Sequence, residues 1–214
     1  MSIKLLILDI DLTICNNLER KVKAVERAIG RSIESEELRR KVAHNYGFLR
    51  VMKYLGVKPD ERLRNEILKH FFYDLDLFEL DKPFDGASET LNKLAKDFKI
   101  YYVTGRPIKE TALKFLKKND FPLGELYNIK INPGESWKKA FLFKTIVREA
   151  KIEPREAVAI GDLPGDARAA IKAGLKCIGI CKVHKSFKKD LEKICNKVIE
   201  DIRDLPRSLK ELEP

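Results

Sequence analysis

Three short segments carry groups able to do chemistry, and each follows an apolar run. Asp9-Ile10-Asp11-Leu12-Thr13 follows residues 5–8, Thr104-Gly105-Arg106 follows 100–103, and Gly161-Asp162-Leu163-Pro164-Gly165-Asp166 follows 157–160. Two carboxylates two residues apart point to the same side of a strand, and at its frayed end both can face one site. If the segments converge, Asp9, Asp11, Asp162 and Asp166 share a crevice, an arrangement that is repulsive unless protons or a divalent cation offset the charge. Oxygen-only ligands that also reach a substrate phosphate suit Mg2+. A phosphoryl group there needs donors for its oxygens, and the Thr104 hydroxyl, the Gly105 amide and a lysine ammonium are candidates. Gly105 lets backbone come close with no side chain in the way. A single Asp at a strand end is more often a turn or cap residue. Asp166 in particular falls in the first turn of a helix expected from Pro164, where an acid is favoured anyway. The chemical reading therefore rests on convergence, and convergence needs a scaffold.

The scaffold is legible in the alternation of patterns. Residues 5–8, 100–103, 157–160 and 177–180 read as buried strands. The stretches 87–97, 108–118, 137–150 and 164–173 place apolar residues at helical spacing. This alternation predicts an α/β fold with a parallel sheet between layers of helices, in which ligands sit beyond the carboxyl ends of the strands. An ordinary strand-helix-strand crossover needs only ~30 residues, far fewer than separate the first two runs. Residues 16–80 are therefore read as an inserted small all-helical domain, with helices over 18–29, 35–55 and 59–77 broken at Gly30 and at 56–59. Residues 1–15 and 81–214 form the core. From His184 onward the pattern predicts one more helix, a short strand at 198–199 and a final helical turn.

Composition narrows the class. The 214 residues are 44% hydrophobic and 36% charged, too apolar for disorder and too interrupted by charge for a membrane span. The net charge of +10 favours anionic partners, but Lys and Arg are spread along the chain. The run Leu38-Arg39-Arg40-Lys41 could mark a nucleic-acid-binding module, yet such runs more often decorate a solvated face. Cys15, Cys177, Cys181 and Cys195 lack zinc-knuckle spacing and read as reduced and mostly buried. His44, His70 and His184 are isolated. The apolar stretch near the N-terminus is too short for a signal peptide, which points to a cytoplasmic protein. Phe71-Phe72-Tyr73 is expected to pack a core within the insertion, and Trp137 to anchor the helix at 137–150.

The segments resemble the signature motifs of the haloacid dehalogenase superfamily. Asp9-x-Asp11-x-Thr13 is similar to the first motif in its phosphatase form, Thr104 to the second, and Gly161-Asp162-x-x-x-Asp166 to the fourth. The insertion resembles the helical C1-type cap of subfamily I. The resemblance implies a Rossmann-like core and an Mg2+-dependent phosphohydrolase in which Asp9 is the nucleophile and Asp11 the acid and base. It implies metal contacts from Asp9, Asp11 through its carbonyl, Asp162 and Asp166, and phosphoryl contacts from Thr104 and a third-motif lysine. Lys138, Lys139 and Lys144 all precede the fourth motif; the family position favours Lys139, 23 residues before Asp162. Asp11 disfavours dehalogenation, whereas a mutase passing the phosphoryl group to a sugar remains an alternative. A receiver module, which carries its acceptor Asp on a later strand, fits less well. A cap of this size implies a small phosphorylated metabolite as substrate, acted on by a monomer or homodimer.

Overall fold

The computed structural model describes residues 2–130 and 136–212. In chain order its elements are β1 (Leu5–Asp9), β2 (Cys15–Asn16), α1 (Leu18–Ile29), α2 (Glu36–His44), α3 (Phe48–Leu55), α4 (Glu61–Tyr73), β3 (Lys82–Pro83), α5 (Ala87–Leu94), β4 (Lys99–Thr104), α6 (Lys109–Lys118), β5 (Leu126–Asn128), α7 (Ser136–Glu149), β6 (Ala157–Gly161), α8 (Pro164–Ala173), β7 (Lys176–Ile180), α9 (Lys188–Ile194), β8 (Lys197–Ile199) and α10 (Leu205–Leu212). The chain divides into two units, residues 1–15 with 83–214, and residues 16–82.

The first unit is built on a parallel six-stranded sheet in the order β5-β4-β1-β6-β7-β8. β1 is central because it is buried on both faces: Leu5, Leu6, Ile7 and Leu8 are all inaccessible, so an unbroken aliphatic run is needed rather than an alternating one. Leu5 and Ile7 join a cluster with Ala140, Phe143 and Ile146 of α7 and Ala167 and Ala170 of α8, while Leu6 and Leu8 point to the opposite face. Small side chains on α8 let it lie close to α7 and to the sheet. Trp137, expected to anchor α7, is instead 55% exposed; Ala140, Phe143, Ile146 and Val147 hold the helix down. The expected strands are present, and β5 is an addition. It is three residues long at the sheet edge, too short to leave a periodic signal. After β1 the chain builds outward through β4 to β5, then returns to the other side of β1 with β6. The strand order thus reverses at β1, the place where open parallel sheets bind ligands beyond the strands' carboxyl ends.

The second unit is helical. Its core is Val22, Val25, Ile33, Val42, Ala43, Val51, Met52 and Leu55. The expected helix over 35–55 is two helices, α2 and α3. Asn45 and Gly47 are extended between them, and the Lys21 ammonium donates to the carbonyls of Ala43 and Asn45, satisfying the end of α2. The helix expected over 59–77 stops at Tyr73 and continues as a 3-10 segment over Leu75–Leu80. Phe71-Phe72-Tyr73 does not form the core of this unit: α4 has no buried residue and Tyr73 is half exposed. Phe71 instead covers one side of Arg20, with Phe78 on the other, their ring centroids 4.3 and 4.2 Å from the guanidinium carbon. Arg20 is fully buried and ion-paired with Asp81 at 2.9 Å, tying α1 to the segment that leads out of the unit. Two of the three basic residues in the α2 run are ion-paired, Arg39 with Glu19 and Glu26, and Lys41 with Glu37. No helix among the described residues is long and apolar enough to cross a membrane.

Removing one partner of a buried pair strands the other charge. Asp81→Ala should therefore cost about 3–5 kcal/mol of stability, measured by urea unfolding followed by circular dichroism. A loss below about 1 kcal/mol would mean that the pair behaves like an exposed one.

Candidate active site

The site is assembled from three strand ends and two helix starts, all in the first unit. Asp9 is the last residue of β1. Beyond it the chain folds back at once: the Ile10 carbonyl accepts from the N–H groups of Thr13, Ile14 and Cys15 at 3.3, 3.0 and 2.9 Å, and Leu12 takes a positive φ of 60°. Leucine rarely adopts this conformation, and the tight turn it permits brings the Thr13 hydroxyl back to donate to Asp9 Oδ2 at 3.3 Å.

Lys139 enters from the first turns of α7. Its ammonium donates to Asp9 Oδ1 at 3.1 Å and to Asp166 Oδ1 at 2.8 Å, and its side chain is 7% exposed. Of the three candidate lysines it alone is buried; Lys138 lies beside the exposed Trp137 ring and Lys144 faces solvent. Asp166 sits in the first turn of α8, with Pro164 at the helix start. Its approach depends on Gly161, the last residue of β6, because a Cβ there would lie 2.7 Å from Asp166 Oδ2. Asp162 follows directly and is buried. Oxygens of Asp9, Asp162 and Asp166 lie within 4.8 Å of one another.

Burial shapes their ionisation. Asp9 is pushed up to about 7 by desolvation, with Asp166 and Asp11 adding to the rise and Lys139 opposing it. Asp162 is raised well above the usual carboxylate range by burial, then by Asp9 and Asp166. Burial alone would lower Lys139, but Asp166 and Asp9 outweigh it and hold the ammonium above its ordinary value.

Asp11 is turned differently from the other carboxylates. Arg106 Nε and Nη2 donate to its Oδ2 and Oδ1 at 3.0 and 2.7 Å, so its carboxylate is held in a guanidinium fork rather than gathered with the other three. Thr104 ends β4 and is buried; its hydroxyl oxygen accepts from the Arg106 N–H at 3.2 Å. Gly105 is exposed, with open space where a side chain would be. Sequence reasoning quoted Arg106 but gave it no role, and it did not foresee the Thr13 contact. An arginine directly after Thr-Gly at a strand end was the available signal, but the sequence does not show whether such a side chain turns inward.

The donor set fits a divalent ion. Four carboxyl groups, Asp9, Asp11, Asp162 and Asp166, face two cations, Lys139 and Arg106, so full ionisation would leave an excess of two negative charges that a divalent ion would offset. Three clustered oxygen donors of this kind suit a hard cation.

The sequence matches the haloacid dehalogenase-like hydrolase family over residues 6–180, which spans both units. The chain belongs to this family. It is 32% identical over 75 residues to D-glycero-beta-D-manno-heptose-1,7-bisphosphate 7-phosphatase of Haemophilus influenzae, a match covering 35% of this chain and 41% of that relative's length. Among solved structures, a haloacid dehalogenase-like protein from Agrobacterium tumefaciens superposes with a TM-score of 0.73 at 18% identity, each chain fully covered. A predicted phosphoglycolate phosphatase from Haemophilus somnus gives 0.68 at 17% identity, covering 97% of this chain and 98% of that one. At these identities the likeness to solved structures concerns the fold. The Rossmann-like core common to haloacid dehalogenase-like hydrolases is the parallel sheet described above.

The raised carboxyl groups have a consequence for stability. Folded Asp9 and Asp162 hold protons that the unfolded chain sheds above about pH 4. The folded state then binds more protons, so the contribution of Asp9 to stability falls as pH rises toward about 7, and that of Asp162 falls as pH rises through its own raised range. In EDTA, melting temperatures measured from about pH 5 to about pH 8 should decline less steeply for Asp162→Asn than for the wild type. Equal slopes would contradict the burial argument.

Proposed function

We propose that this hydrolase is an Mg2+-dependent phosphomonoesterase that acts on a small phosphorylated metabolite through an aspartyl-phosphate on Asp9. The observation that carries the reading is the Lys139 ammonium clamped between Asp9 and Asp166 at the sheet's carboxyl edge, beside Asp162. An all-structural ion pair would not need a third buried carboxylate in the same place. The similarity to proteins named as phosphatases supports the reaction class, and the heptose bisphosphate in the name of one of them makes a phosphorylated sugar a natural member of any substrate panel.

In the proposed reaction Asp9 attacks phosphorus in line with the leaving oxygen. The bond to that oxygen breaks, and its electron pair leaves with it as Asp11 supplies a proton. Asp11 then takes a proton from water, the water oxygen attacks phosphorus, and the bond to Asp9 breaks to release inorganic phosphate. A carboxylate oxygen carries two lone pairs, so being held in the Arg106 fork is compatible with proton exchange at Asp11 in each half-reaction. Thr104, whose oxygen already accepts from Arg106, has its hydroxyl proton left to donate, and with the Gly105 amide and Lys139 it would bind the phosphoryl oxygens. Mg2+, held by Asp9, Asp162 and Asp166 with the Asp11 carbonyl, would neutralise phosphoryl charge and orient the group. The free thiols of the chain fit a reducing cytoplasm.

With a panel of sugar phosphates, nucleotides, phosphoglycolate and an aryl phosphate, EDTA should abolish hydrolysis and Mg2+ should restore it. Asp9→Asn should lower kcat by roughly a thousandfold or more and prevent covalent labelling seen by mass spectrometry of the quenched enzyme. Substantial turnover by Asp9→Asn would remove it from the nucleophile role.

A further inference from the structure

We propose that Arg106 is a positioning residue for the reaction, its guanidinium fixing the Asp11 carboxylate in the orientation from which it exchanges protons. The inference rests on the phosphatase reading above and goes beyond the four motifs that suggested it.

The argument begins with cost. The Arg106 side chain is completely buried, and taking a guanidinium out of water is unfavourable unless its hydrogen-bonding groups are met. They are met from several directions. Nη1 donates to the Thr111 carbonyl at 3.3 Å, Nη2 lies 3.3 Å from Cys15 Sγ, and the Phe115 ring centroid is 5.5 Å from the guanidinium carbon. These contacts come from α6 and from the start of β2, so the fork is anchored whether or not Asp11 is present. Its remaining edge, Nε and Nη2, meets both oxygens of Asp11.

The two partners differ in exposure. Arg106 is 0% exposed and the Asp11 side chain 24%. A pair serving only the core would be hidden on both sides, as Arg20 and Asp81 are in the second unit at 0% and 1%. Here the arginine is the fixture and the carboxylate is presented. A bidentate fork fixes the plane of the carboxylate as well as its position, which a lysine point charge cannot do. The same residue's N–H sets the Thr104 hydroxyl, so the loop after β4 aligns a phosphoryl donor and the acid-base group together.

The test is a double-mutant cycle with Arg106→Lys and Arg106→Met, each made alone and with Asp11→Asn, with folding checked by circular dichroism and melting temperature. In the wild-type background both variants should lower kcat by roughly 10- to 100-fold, with KM changed less than about threefold. The loss should be larger for an alkyl phosphate, whose leaving oxygen needs a proton, than for p-nitrophenyl phosphate. In the Asp11→Asn background neither variant should cause a further loss. Arg106→Lys keeps a buried cation, so it carries the test if Arg106→Met fails to fold. A folded Arg106→Lys with wild-type kcat would overturn the inference, as would effects that multiply with Asp11→Asn or ignore the leaving group. Wild-type turnover that depends on Asp9 keeps the phosphatase reading standing in those cases. Absence of any Asp9-dependent turnover would overturn both.

Discussion

Lys139 reaches Asp9 across 130 residues of sequence and holds Asp166 with the same ammonium. Without that cation, three carboxyl groups would share a buried edge with nothing of opposite sign among them. Desolvation already makes ionisation of Asp9 and Asp162 unfavourable. Every nearby feature of the first unit serves to keep this contact short. α7 is fastened to the sheet by Phe143, Ile146 and Val147, which fixes where its first turns lie. α8 is narrowed by Ala167, Ala169, Ala170 and Ala173 so that it can pack beside α7. Gly161 removes the one side chain that would push Asp166 away.

The sheet explains why these groups meet at all. A central strand with neighbours on both sides, reached by chain running first one way and then the other, puts the reversal of strand order at its carboxyl end, where open parallel sheets bind ligands. Asp9 closes that strand, Thr104 closes the neighbour on one side, and Gly161 with Asp162 closes the neighbour on the other. Hydrophobic burial along β1 therefore determines where the charged groups end up, because its aliphatic run cannot shift by one residue without exchanging the faces on which Leu5 and Ile7, or Leu6 and Leu8, are packed.

Much of this could be read from the residues, because it is written in short-range patterns. Unbroken aliphatic runs marked β1, β4, β6 and β7, and residues following three of them meet at the sheet's carboxyl edge. Lys139 stood out from Lys138 and Lys144 only through family spacing; in the structure, burial separates them. What escaped depends on side-chain direction and on local breaks. β5 is too short to be periodic, and the break between α2 and α3 hinges on Asn45 and Gly47 being extended and on Lys21 capping the freed carbonyls. Trp137 was expected to anchor α7, and Phe71 to pack the core of the insertion. One is exposed, and the other covers a buried arginine. Arg106 was hidden for the same reason: an arginine in a loop reads as solvated until its partners are known.

The two buried cations of the site are of different kinds, and the difference fits what each must do. Lys139 serves two carboxylates at once and would also meet a phosphoryl oxygen in the proposed reaction. A compact ammonium with three rotatable donors can redistribute among such partners without moving its stem. Arg106 holds the Asp11 carboxylate through Nε and Nη2 while Nη1 donates to the Thr111 carbonyl, so it gives direction in place of freedom. Exchanging the two would leave the total charge unchanged. It would also place a rigid fork where charge must be shared and a loose point charge where a plane must be fixed, so the arrangement of donors constrains the site as strongly as the number of charges does.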